Sequence, residues 1–467
     1  MADNTQNGLK SPQVVIVVVP FPAQSHLNQI IHLSRLLSAY NLPVHYVGST
    51  TTIRQARLRL HGWDPLSTSS SIHFHEFETS PFLSPPPDPT ATSDFPSHLM
   101  PAFDASTHLR EPVGALLRNM SLDARRIVVI HDMMMATVVQ DVATIPGAES
   151  YTFESISVFC LYWSLVEIMG KPCPIDDEVT KEIPSIEECL PAEFFDFAKK
   201  QHEHGHFNSG KLYNMCKSIE GKYIDLLTKE DTNGKTMDWF IGPLNPVVVN
   251  QNQNKKRHCC LDWLDEQAPN SVIFVSFGTT TTFTDEQINE IAVGLEQSAQ
   301  KFIWVLRDAD KGDVFDENVR MANLPKGYEE RIEGRGIVVR DWAPQLEILA
   351  HSGTGGFMSP CGWSSCMESI TWGVPLVTWP LHSDQPYNSV LVTKVLGIGV
   401  TVRDWNCRNE MVTALMVERS VRRLMVDREG EEMRKRAVEL GGAVKRAVAE
   451  GGVSRMELDS FVAHITR

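Results

Sequence analysis

The sequence has 467 residues, of which 42% are apolar and 22% are charged, as in an ordinary globular protein. This length exceeds what one hydrophobic core usually supports, so we expect two compact domains. With 58 acidic against 43 basic side chains, the formal net charge is −15, which disfavours nucleic acid as a partner.

The first predicted element is a strand at Val14–Val19, a continuous β-branched run of the kind found in parallel sheets covered on both faces. A helix through Tyr40 follows it, because apolar residues recur at helical spacing after Ser25. Short apolar runs then alternate with helical segments, which predicts right-handed strand-helix-strand crossovers and a parallel sheet. These runs cover residues 43–47, 72–77, 127–130 and 151–153.

The middle of the chain is less regular. Proline, serine and threonine dominate between Ser80 and Pro101, which predicts a surface loop, and residues 172–208 predict irregular helices. The polar tract 247–258 has little to bury, so we interpret it as a linker between two domains.

A second series of strands and helices follows the linker. A buried strand is predicted at 271–276, and Thr284 is predicted to cap a helix over 285–297. Further strands are predicted at 301–307, 336–340, 356–359 and 374–379, with helical structure over 430–467. The sequence thus predicts an α/β protein with Rossmann-like domains at 1–246 and 259–445, and a final helix over 446–467 packing on the first domain.

The nine cysteines are thinly spread and form no CxxC pair, which is typical of thiols kept reduced in the cytosol. The polar N-terminus does not resemble a signal peptide, and Val14–Val19 is far shorter than the roughly 20 residues of a membrane helix. We therefore expect a cytoplasmic protein without a membrane span.

Several familiar catalytic motifs are absent from the sequence. It contains no GxGxxG, P-loop or GxSxG pattern, which are the usual motifs of dinucleotide oxidoreductases, P-loop ATPases and α/β-hydrolases. These three enzyme classes are therefore disfavoured. Residues 202–206 fit the HExxH pattern of zinc enzymes, but Gly205 weakens a helix there and the neighbouring residues lack apolar periodicity. We interpret them as a solvent-exposed turn and expect neither a metal ion nor a resident cofactor.

A candidate binding site for a phosphate group follows the predicted strand that ends at Ser359. A helix begins there, and its free N–H groups and positive dipole end are suited to hold a diphosphate. Ser364 and Ser365 would add hydroxyl donors to the same place. These features predict an anion seat at the start of this helix.

Other polar and aromatic residues surround this predicted seat. Trp342 has the flat apolar face needed to stack on a uracil ring, and Gln345 can bond the base edge or a ribose hydroxyl. Glu368 offers two acceptors for a ribose diol, and Asp384 and Gln385 suit the hydroxyls of a hexose. Any one of these residues is more often structural than functional, but their joint order makes chance a minor alternative.

The whole stretch from Trp342 to Gln385 closely resembles the secondary-product signature of plant family 1 glycosyltransferases. The resemblance implies two facing Rossmann-like domains of the GT-B architecture, an interdomain cleft, and a UDP-sugar co-substrate. It places a diphosphate contact in the turn at 277–280. The donor-binding residues that it implies are Thr280, Trp342, Ala343, Gln345, Trp363, Ser364, Ser365, Glu368, Asp384 and Gln385.

The phosphate part of this signature departs from the family pattern. The family has His-Cys-Gly-Trp-Asn where this chain has Pro360-Cys-Gly-Trp-Ser364. Proline is well tolerated in the first turn of a helix, so the fold should survive. However, a hydrogen bond to a charged group contributes roughly 1.5–3 kcal/mol, so we expect weakened donor binding unless a neighbour or water substitutes.

A second candidate site lies in the first half of the chain. His26 follows the first strand, and Asp132 follows the strand at 127–131, so both should reach the carboxyl edge of the sheet, where open α/β folds bind ligands. Asp132 could orient the imidazole of a general base. His131 is a rival for this role, but adjacent strand residues point to opposite faces. The segment around His26 resembles the catalytic-histidine loop of the same family, and this resemblance favours His26 and Asp132 as the pair. Ser25 is a departure, because the family has glycine before the histidine.

The resemblance is narrowest to zeatin (cytokinin) O-glycosyltransferases, which share the form His26-Leu-Asn-Gln29 and the run Gly355-Gly-Phe-Met-Ser. It implies an inverting transfer of a hexose, glucose by expectation, from a UDP-sugar to a hydroxyl of a small lipophilic plant metabolite such as zeatin. Flavonoid O- or C-glucosylation remains an alternative, as does a catalytically weakened protein that only binds a small molecule or UDP-sugar. We expect a monomer.

Overall fold

The computed structural model describes residues 14–58, 72–170, 178–230, 237–248, 257–315, 320 and 322–467. Two parallel sheets organise these residues, as the sequence predicts. The first sheet contains β1 (Val14–Val19), β2 (Val44–Ser49), β3 (Ile72–Phe77), β4 (Arg126–Asp132), β5 (Ala148–Glu154), β6 (Gly210–Tyr213) and β7 (Met237–Phe240). The second contains β8 (Val272–Ser276), β9 (Lys301–Val305), β10 (Gly336–Val339), β11 (Thr354–Ser359), β12 (Leu376–Thr378) and β13 (Gly399–Thr401).

Helices cover both faces of each sheet. Across the described ranges, no helix combines enough length with enough apolar character to span a bilayer. The α-helices are α1 (Gln24–Ser38), α2 (Thr50–Leu58), α3 (Met100–Ser106), α4 (Arg110–Met120), α5 (Ala136–Val139), α6 (Val158–Ile168), α7 (Ile186–Cys189), α8 (Ala192–Glu203), α9 (Lys217–Glu230), α10 (Cys259–Asp265), α11 (Asp285–Gln297), α12 (Tyr328–Arg331), α13 (Gln345–Ala350), α14 (Trp363–Trp372), α15 (Gln385–Val390), α16 (Ala414–Met425), α17 (Arg428–Val448) and α18 (Val453–Thr466).

Both sheets have a doubly wound topology. Their strand orders are β3-β2-β1-β4-β5-β6-β7 and β10-β9-β8-β11-β12-β13, and every neighbouring pair is parallel. The order reverses between β1 and β4 and again between β8 and β11. Connections from these strands leave toward opposite faces, so a crevice opens at the carboxyl edge of each sheet.

Strand β1 explains why the first domain needs a β-branched sequence at its centre. All six residues are buried, and alternate side chains enter two different cores. Ile16 and Val18 pack with α1 and α18, whereas Val17 and Val19 pack with α4 and α5. Because both faces are covered, an alternating polar pattern would leave polar groups without water.

The two domains share apolar packing. One hydrophobic cluster contains Phe159 of α6 together with Trp363 of α14 and Tyr387 of α15. All three side chains are at most 2% exposed. A hydrophobic core shared by the two domains therefore lies beneath the cleft. This shared packing holds the carboxyl edges of the two sheets at a set distance.

The C-terminal segment is helical as predicted for 430–467, but the final helix begins later than the predicted residue 446. Helix α17 ends at Val448 and α18 begins at Val453, with a turn between them. Gly451 has a φ of +76°, and a Cβ on Gly452 would lie 2.2 Å from the carbonyl oxygen of Arg446, so this turn requires glycine. Helix α18 then packs on the first sheet, where the Phe461 ring lies 5.1 Å from that of Trp239.

Most predicted strands appear with shifted ends, but three strands were missed. Strands β6, β7 and β13 have only three or four residues each, which is too short for a periodic apolar pattern. The domain limits 1–246 and 259–445 stay predictions. Most of the predicted linker 247–258 lies outside the described residues, as do residues 1–13.

We predict that Phe461→Ala destabilises the protein by about 3–5 kcal/mol, because a fully buried ring between Tyr151 and Trp239 would be replaced by a cavity. Urea unfolding followed by tryptophan fluorescence measures the change. The control Met456→Ala removes a 53% exposed side chain of the same helix and should change stability by less than about 0.5 kcal/mol. Equal effects from both substitutions would contradict the packing of α18 on the first sheet.

Candidate functional site

The candidate site lies where the carboxyl edges of the two sheets face each other. His26 is the third residue of α1, directly after β1, and Asp132 is the last residue of β4. The two strands are adjacent and parallel, so both side chains reach the crevice of the first sheet. His26 Nδ1 lies 2.7 Å from Asp132 Oδ2, as predicted for this pair.

The carboxylate of Asp132 is held rigidly and orients the imidazole. Its side chain is fully buried, and Oδ1 accepts a hydrogen bond from the backbone N–H of Met134 at 3.0 Å. The Oδ2 atom accepts from Nδ1–H of His26, and the hydroxyl of Ser155 lies 3.0 Å from the same nitrogen. With the proton on Nδ1, the lone pair of Nε2 remains available to accept a proton.

The pKa of His26 reflects two opposing causes. Burial lowers it, since the side chain is only 18% exposed, but the charge and hydrogen bond of Asp132 raise it more. Asp384, from the second domain, adds a smaller upward contribution. The pKa of His26 therefore lies above its usual value of 6.5.

His131, the rival candidate, points away from His26. Its Nε2 lies 2.9 Å from Asn208 Oδ1 and its Nδ1 lies 3.0 Å from the carbonyl oxygen of Asp132. The side chain is fully buried, and burial lowers its pKa. His131 is therefore a neutral structural group behind the strand end, and the structure brings Asp132, not His131, to the imidazole of His26.

Gln29 links this site to the second domain, and the sequence analysis gave it no role. Its Nε2 donates to the carbonyl oxygen of Ser155 at 2.9 Å and to Ser364 Oγ at 3.0 Å. Its Oε1 accepts from Asn214 Nδ2 at 2.8 Å. Only its position one helical turn after His26 could have signalled this. The amide is 5% exposed and fully satisfied, so it joins the strand ends of one domain to α14 of the other.

The predicted uracil and ribose residues gather at the start of α13. Trp342 is half-buried, with the guanidinium of Arg307 5.7 Å from its ring, and Ala343 is buried. Gln345 Nε2 donates to Glu368 Oε2 at 2.8 Å and to Ser365 Oγ at 3.1 Å. Burial raises the pKa of Glu368 to about 7, although the hydrogen bond from Gln345 opposes this.

The predicted phosphate residues lie at the start of α14, but their side chains have other partners. The Trp363 indole is 2% exposed and donates to the carbonyl oxygen of Asn214 at 2.8 Å, and its backbone N–H donates to Asp384 Oδ2 at 3.3 Å. Ser364 Oγ accepts from Gln29 and donates to the carbonyl oxygen of Ser25 at 3.2 Å. The Ser364 hydroxyl therefore holds the domains together in this structure.

The predicted sugar-binding residues lie across the cleft from His26. Asp384 Oδ2 accepts from Asn388 Nδ2 at 2.8 Å and from the backbone N–H of Trp363 at 3.3 Å, and burial raises its pKa. Gln385 Oε1 accepts from the backbone N–H of Leu381 at 3.0 Å. Thr280 Oγ1 lies 3.3 Å from His382 Nε2, so the loop after β8 reaches the same place.

The histidine-rich segment at 202–206 forms no metal site in the structure. His204 and His206 bond backbone carbonyl oxygens of α8, and His202 is exposed. In the described ranges, one group of three side chains lies close enough to bind the same metal ion, namely His258, Cys259 and Cys260. There His258 Nδ1 caps α10 by accepting from the N–H of Cys260, and burial raises the pKa of Cys260 to about 12, which disfavours the thiolate that a metal needs.

Comparisons with known proteins identify the family of this chain. Residues 12–246 match a family model described as glycosyltransferase, N-terminal domain, and residues 240–427 match one described as UDP-glucoronosyl and UDP-glucosyl transferase. The chain is 56% identical to zeatin O-glucosyltransferase of Phaseolus lunatus, with 100% of both chains covered. It is 54% identical to zeatin O-xylosyltransferase of Phaseolus vulgaris, covering 97% of this chain and 98% of the relative.

The fold also matches solved structures. One is Phytolacca americana UGT2 complexed with UDP-2fluoro-glucose and pterostilbene, with a TM-score of 0.77 and 26% identity. The match covers 97% of this chain and 100% of that chain. The predicted architecture of two facing parallel-sheet domains is thereby confirmed.

We predict that Asp132→Asn lowers the pKa of His26, because the carboxylate charge that stabilises the imidazolium is removed while burial continues to oppose it. NMR titration of the His26 Cε1 proton, assigned with a His26→Gln variant, measures this pKa. Glu193→Gln, which changes an exposed carboxylate of the same domain, serves as the control and should leave it unchanged. An unaltered pKa in Asp132→Asn would contradict the electrostatic role of Asp132.

Proposed function

Because this chain belongs to the family of UDP-glucuronosyl and UDP-glucosyl transferases, we propose that it is an inverting enzyme that moves glucose from UDP-glucose to a hydroxyl of a small lipophilic metabolite of the zeatin type. The observation that carries this proposal is the His26–Asp132 pair, which faces the start of α14 across the cleft. The relatives named for zeatin, at 56% and 54% identity, support the acceptor class.

The reaction begins with proton removal from the acceptor. Nε2 of His26 takes the hydroxyl proton, and the carboxylate of Asp132 stabilises the imidazolium that forms. The acceptor oxygen attacks the anomeric carbon from the face opposite the diphosphate, and the bond from that carbon to the phosphate oxygen breaks. A single displacement of this kind inverts the anomeric configuration.

The second domain holds the donor and stabilises the leaving group. Trp342, Ala343, Gln345 and Glu368 lie together for the uracil and ribose, as the resemblance implies. The N-terminus of α14 and the loop at Thr280 would stabilise the charge that develops on the departing diphosphate. Asp384 and Gln385 would orient the hexose, and no step requires a metal ion or resident cofactor.

Two features of the proposal need a direct test. The donor sugar is one, since the two similar relatives are named for glucose and xylose transfer. The acceptor is the other, with flavonoid O- or C-glucosylation as the alternative. Incubation with UDP-glucose or UDP-xylose and a panel of hydroxylated cytokinins and flavonoids, read by mass spectrometry, decides both. Failure to glycosylate any acceptor would support the alternative of a binding protein without productive transfer.

We propose further that the enzyme works as a monomer in the cytosol. Each of the eight cysteines in the described ranges is a free thiol, which suits a reducing compartment. Size-exclusion chromatography with light scattering tests the monomer, for which the expected mass is 52.4 kDa.

We predict that His26→Ala lowers kcat roughly 10²- to 10⁴-fold and leaves the dissociation constant of UDP-glucose unchanged, because the imidazole acts on the acceptor proton. In the parent enzyme, activity should fall as the pH drops below the raised pKa of His26, since only the neutral imidazole accepts a proton. Steady-state kinetics and donor titration give these values. His108→Ala, an exposed histidine of the same domain, is the control, and a near-parental rate in His26→Ala would remove His26 from the mechanism.

A further prediction concerns the departures at the phosphate seat. The Ser364 hydroxyl donates its proton to Ser25, so it has none to offer a phosphate in this arrangement. Changing Pro360→His with Ser364→Asn would supply new donors at the start of α14 and should lower the donor dissociation constant about tenfold, or 1.4 kcal/mol. Calorimetric titration with UDP-glucose measures it, with acceptor affinity as the internal control. Equal donor affinity would mean that the native chain already satisfies the phosphates by another route.

A further inference from the structure

A cleft beside the His26 site has an unusual polar wall. It lies between α1, α2 and α3 of the first domain and the loops after β8 and β9 of the second. The cleft opens to solvent, and its lining combines the apolar side chains of Leu99, Ala102 and Phe103 with the carboxamides of Gln24 and Gln55.

The two carboxamides are buried and oriented by a chain of hydrogen bonds. Gln55 is 4% exposed and Gln24 is 5% exposed. Gln55 Nε2 donates to Gln24 Oε1 at 2.9 Å, and Gln24 Nε2 donates to Asn28 Oδ1 at 2.7 Å. Because these hydrogen bonds connect the first turn of α1 to α2, the Gln55 side chain is held in one orientation before any ligand binds.

Gln55 presents one edge that the protein does not use. Within the described residues, no hydrogen bond reaches its Oε1, and only one of the two hydrogens on Nε2 is donated. A buried carboxamide with an unused acceptor and donor is costly unless a ligand or water pairs with it. Its adjacent oxygen and N–H match a partner that carries a donor beside an acceptor, as in the pairing of glutamine with the N6 and N7 atoms of adenine.

The cleft lies close to the catalytic base. The buried ring of Phe21 packs between them, 4.6 Å from the ring of Phe103 and 5.2 Å from the imidazole of His26. A flat ring system held between Phe103 and Gln55 would direct its side chain past Pro22 and Ala23, which also line the cleft, toward His26. Aromatic surfaces favour such offset contacts with a planar heterocycle.

We infer that Gln55, oriented by Gln24, recognises the acceptor through a planar nitrogen heterocycle that carries a ring nitrogen beside an N–H group, as in a 6-alkylaminopurine. This inference rests on the proposed function, because the hydroxyl to be glycosylated lies on the alkyl chain of the same molecule. Gln55 Oε1 accepts from the exocyclic N–H, and the second Nε2 hydrogen is donated to the ring nitrogen. Carbocyclic polyphenols lack this pair of groups and leave Gln55 unsatisfied.

The test compares two ligands that differ only in the ring. One is a purine with a hydroxyalkylamino chain at position 6, and the other is a benzene ring with the same chain. Isothermal titration of each into the full-length protein, with UDP present, measures binding without any need for turnover. Gln55→Leu keeps the approximate size of the side chain, and Gln55→Glu keeps its acceptor while removing the donor. Gln140→Leu, which removes a half-buried carboxamide of the same domain outside the cleft, is the matched control.

The expected result is that Gln55→Leu and Gln55→Glu weaken purine binding at least tenfold, leave the benzene ligand within about twofold, and leave UDP affinity unchanged. Gln140→Leu should change the binding of neither ligand. Equal losses for both ligands in folded variants, or parental purine affinity, would overturn the inference while leaving the proposed function standing. If the parent protein glycosylates no acceptor, the proposed function fails, and selective loss of purine binding would still support the role of Gln55.

If Gln55→Leu does not fold, judged by its thermal unfolding, Gln24→Met supplies the second variant. It frees Gln55 from its orienting partner without changing the edge that meets the ligand. We expect weaker purine binding with unchanged benzene binding in this variant also. Parental purine affinity in Gln24→Met and in Gln55→Glu would overturn the inference.

Discussion

The carboxamide of Gln29 is the interaction on which the geometry of the cleft depends most directly. Three bonds saturate it, to Ser155 and Asn214 of its own domain and to Ser364 of the other. Ser155 is also the residue whose hydroxyl contacts the His26 imidazole. One buried amide therefore links the candidate base to the start of α14, and any opening of the cleft must break the bond between Gln29 and Ser364.

This arrangement changes the meaning of serine at position 364. From the sequence, Ser364 was predicted to offer a hydroxyl donor to the phosphates where the family pattern has an asparagine. In the structure its hydroxyl accepts from Gln29 and donates to the Ser25 carbonyl, so the same atom holds the helix that would bind the diphosphate. The Ser364 hydroxyl thus uses its hydrogen bonds to connect the two domains and not to bind the anion. The proposed anion seat would then consist of the other backbone N–H groups in the first turn of α14, since the N–H of Trp363 donates to Asp384 and helix N-termini bind phosphate through backbone atoms.

The sequence predicted the fold and the first domain's candidate dyad for a simple physical reason. Continuous β-branched runs identify covered parallel strands, and the carboxyl ends of such strands meet at one edge, so His26 and Asp132 had to be near each other. It could not predict the bond between Gln29 and Ser364, because the partners lie 335 positions apart and only tertiary packing unites them. The same applies to Gln55, whose importance comes from the unused edge of its amide and not from a local pattern.

An acidic chain that binds an anionic nucleotide must limit repulsion at its own site. Glu368 and Asp384 both lie at the proposed donor seat, and burial raises the pKa of each, to about 7 for Glu368. A carboxyl group with a pKa near 7 is about half protonated at neutral pH, and a nearby diphosphate would raise its pKa further. If Glu368 binds the ribose as proposed, it can take up a proton as the nucleotide arrives and need not add a full negative charge beside the phosphates. Burial, which elsewhere stabilises the fold, here reduces the electrostatic cost of binding the donor.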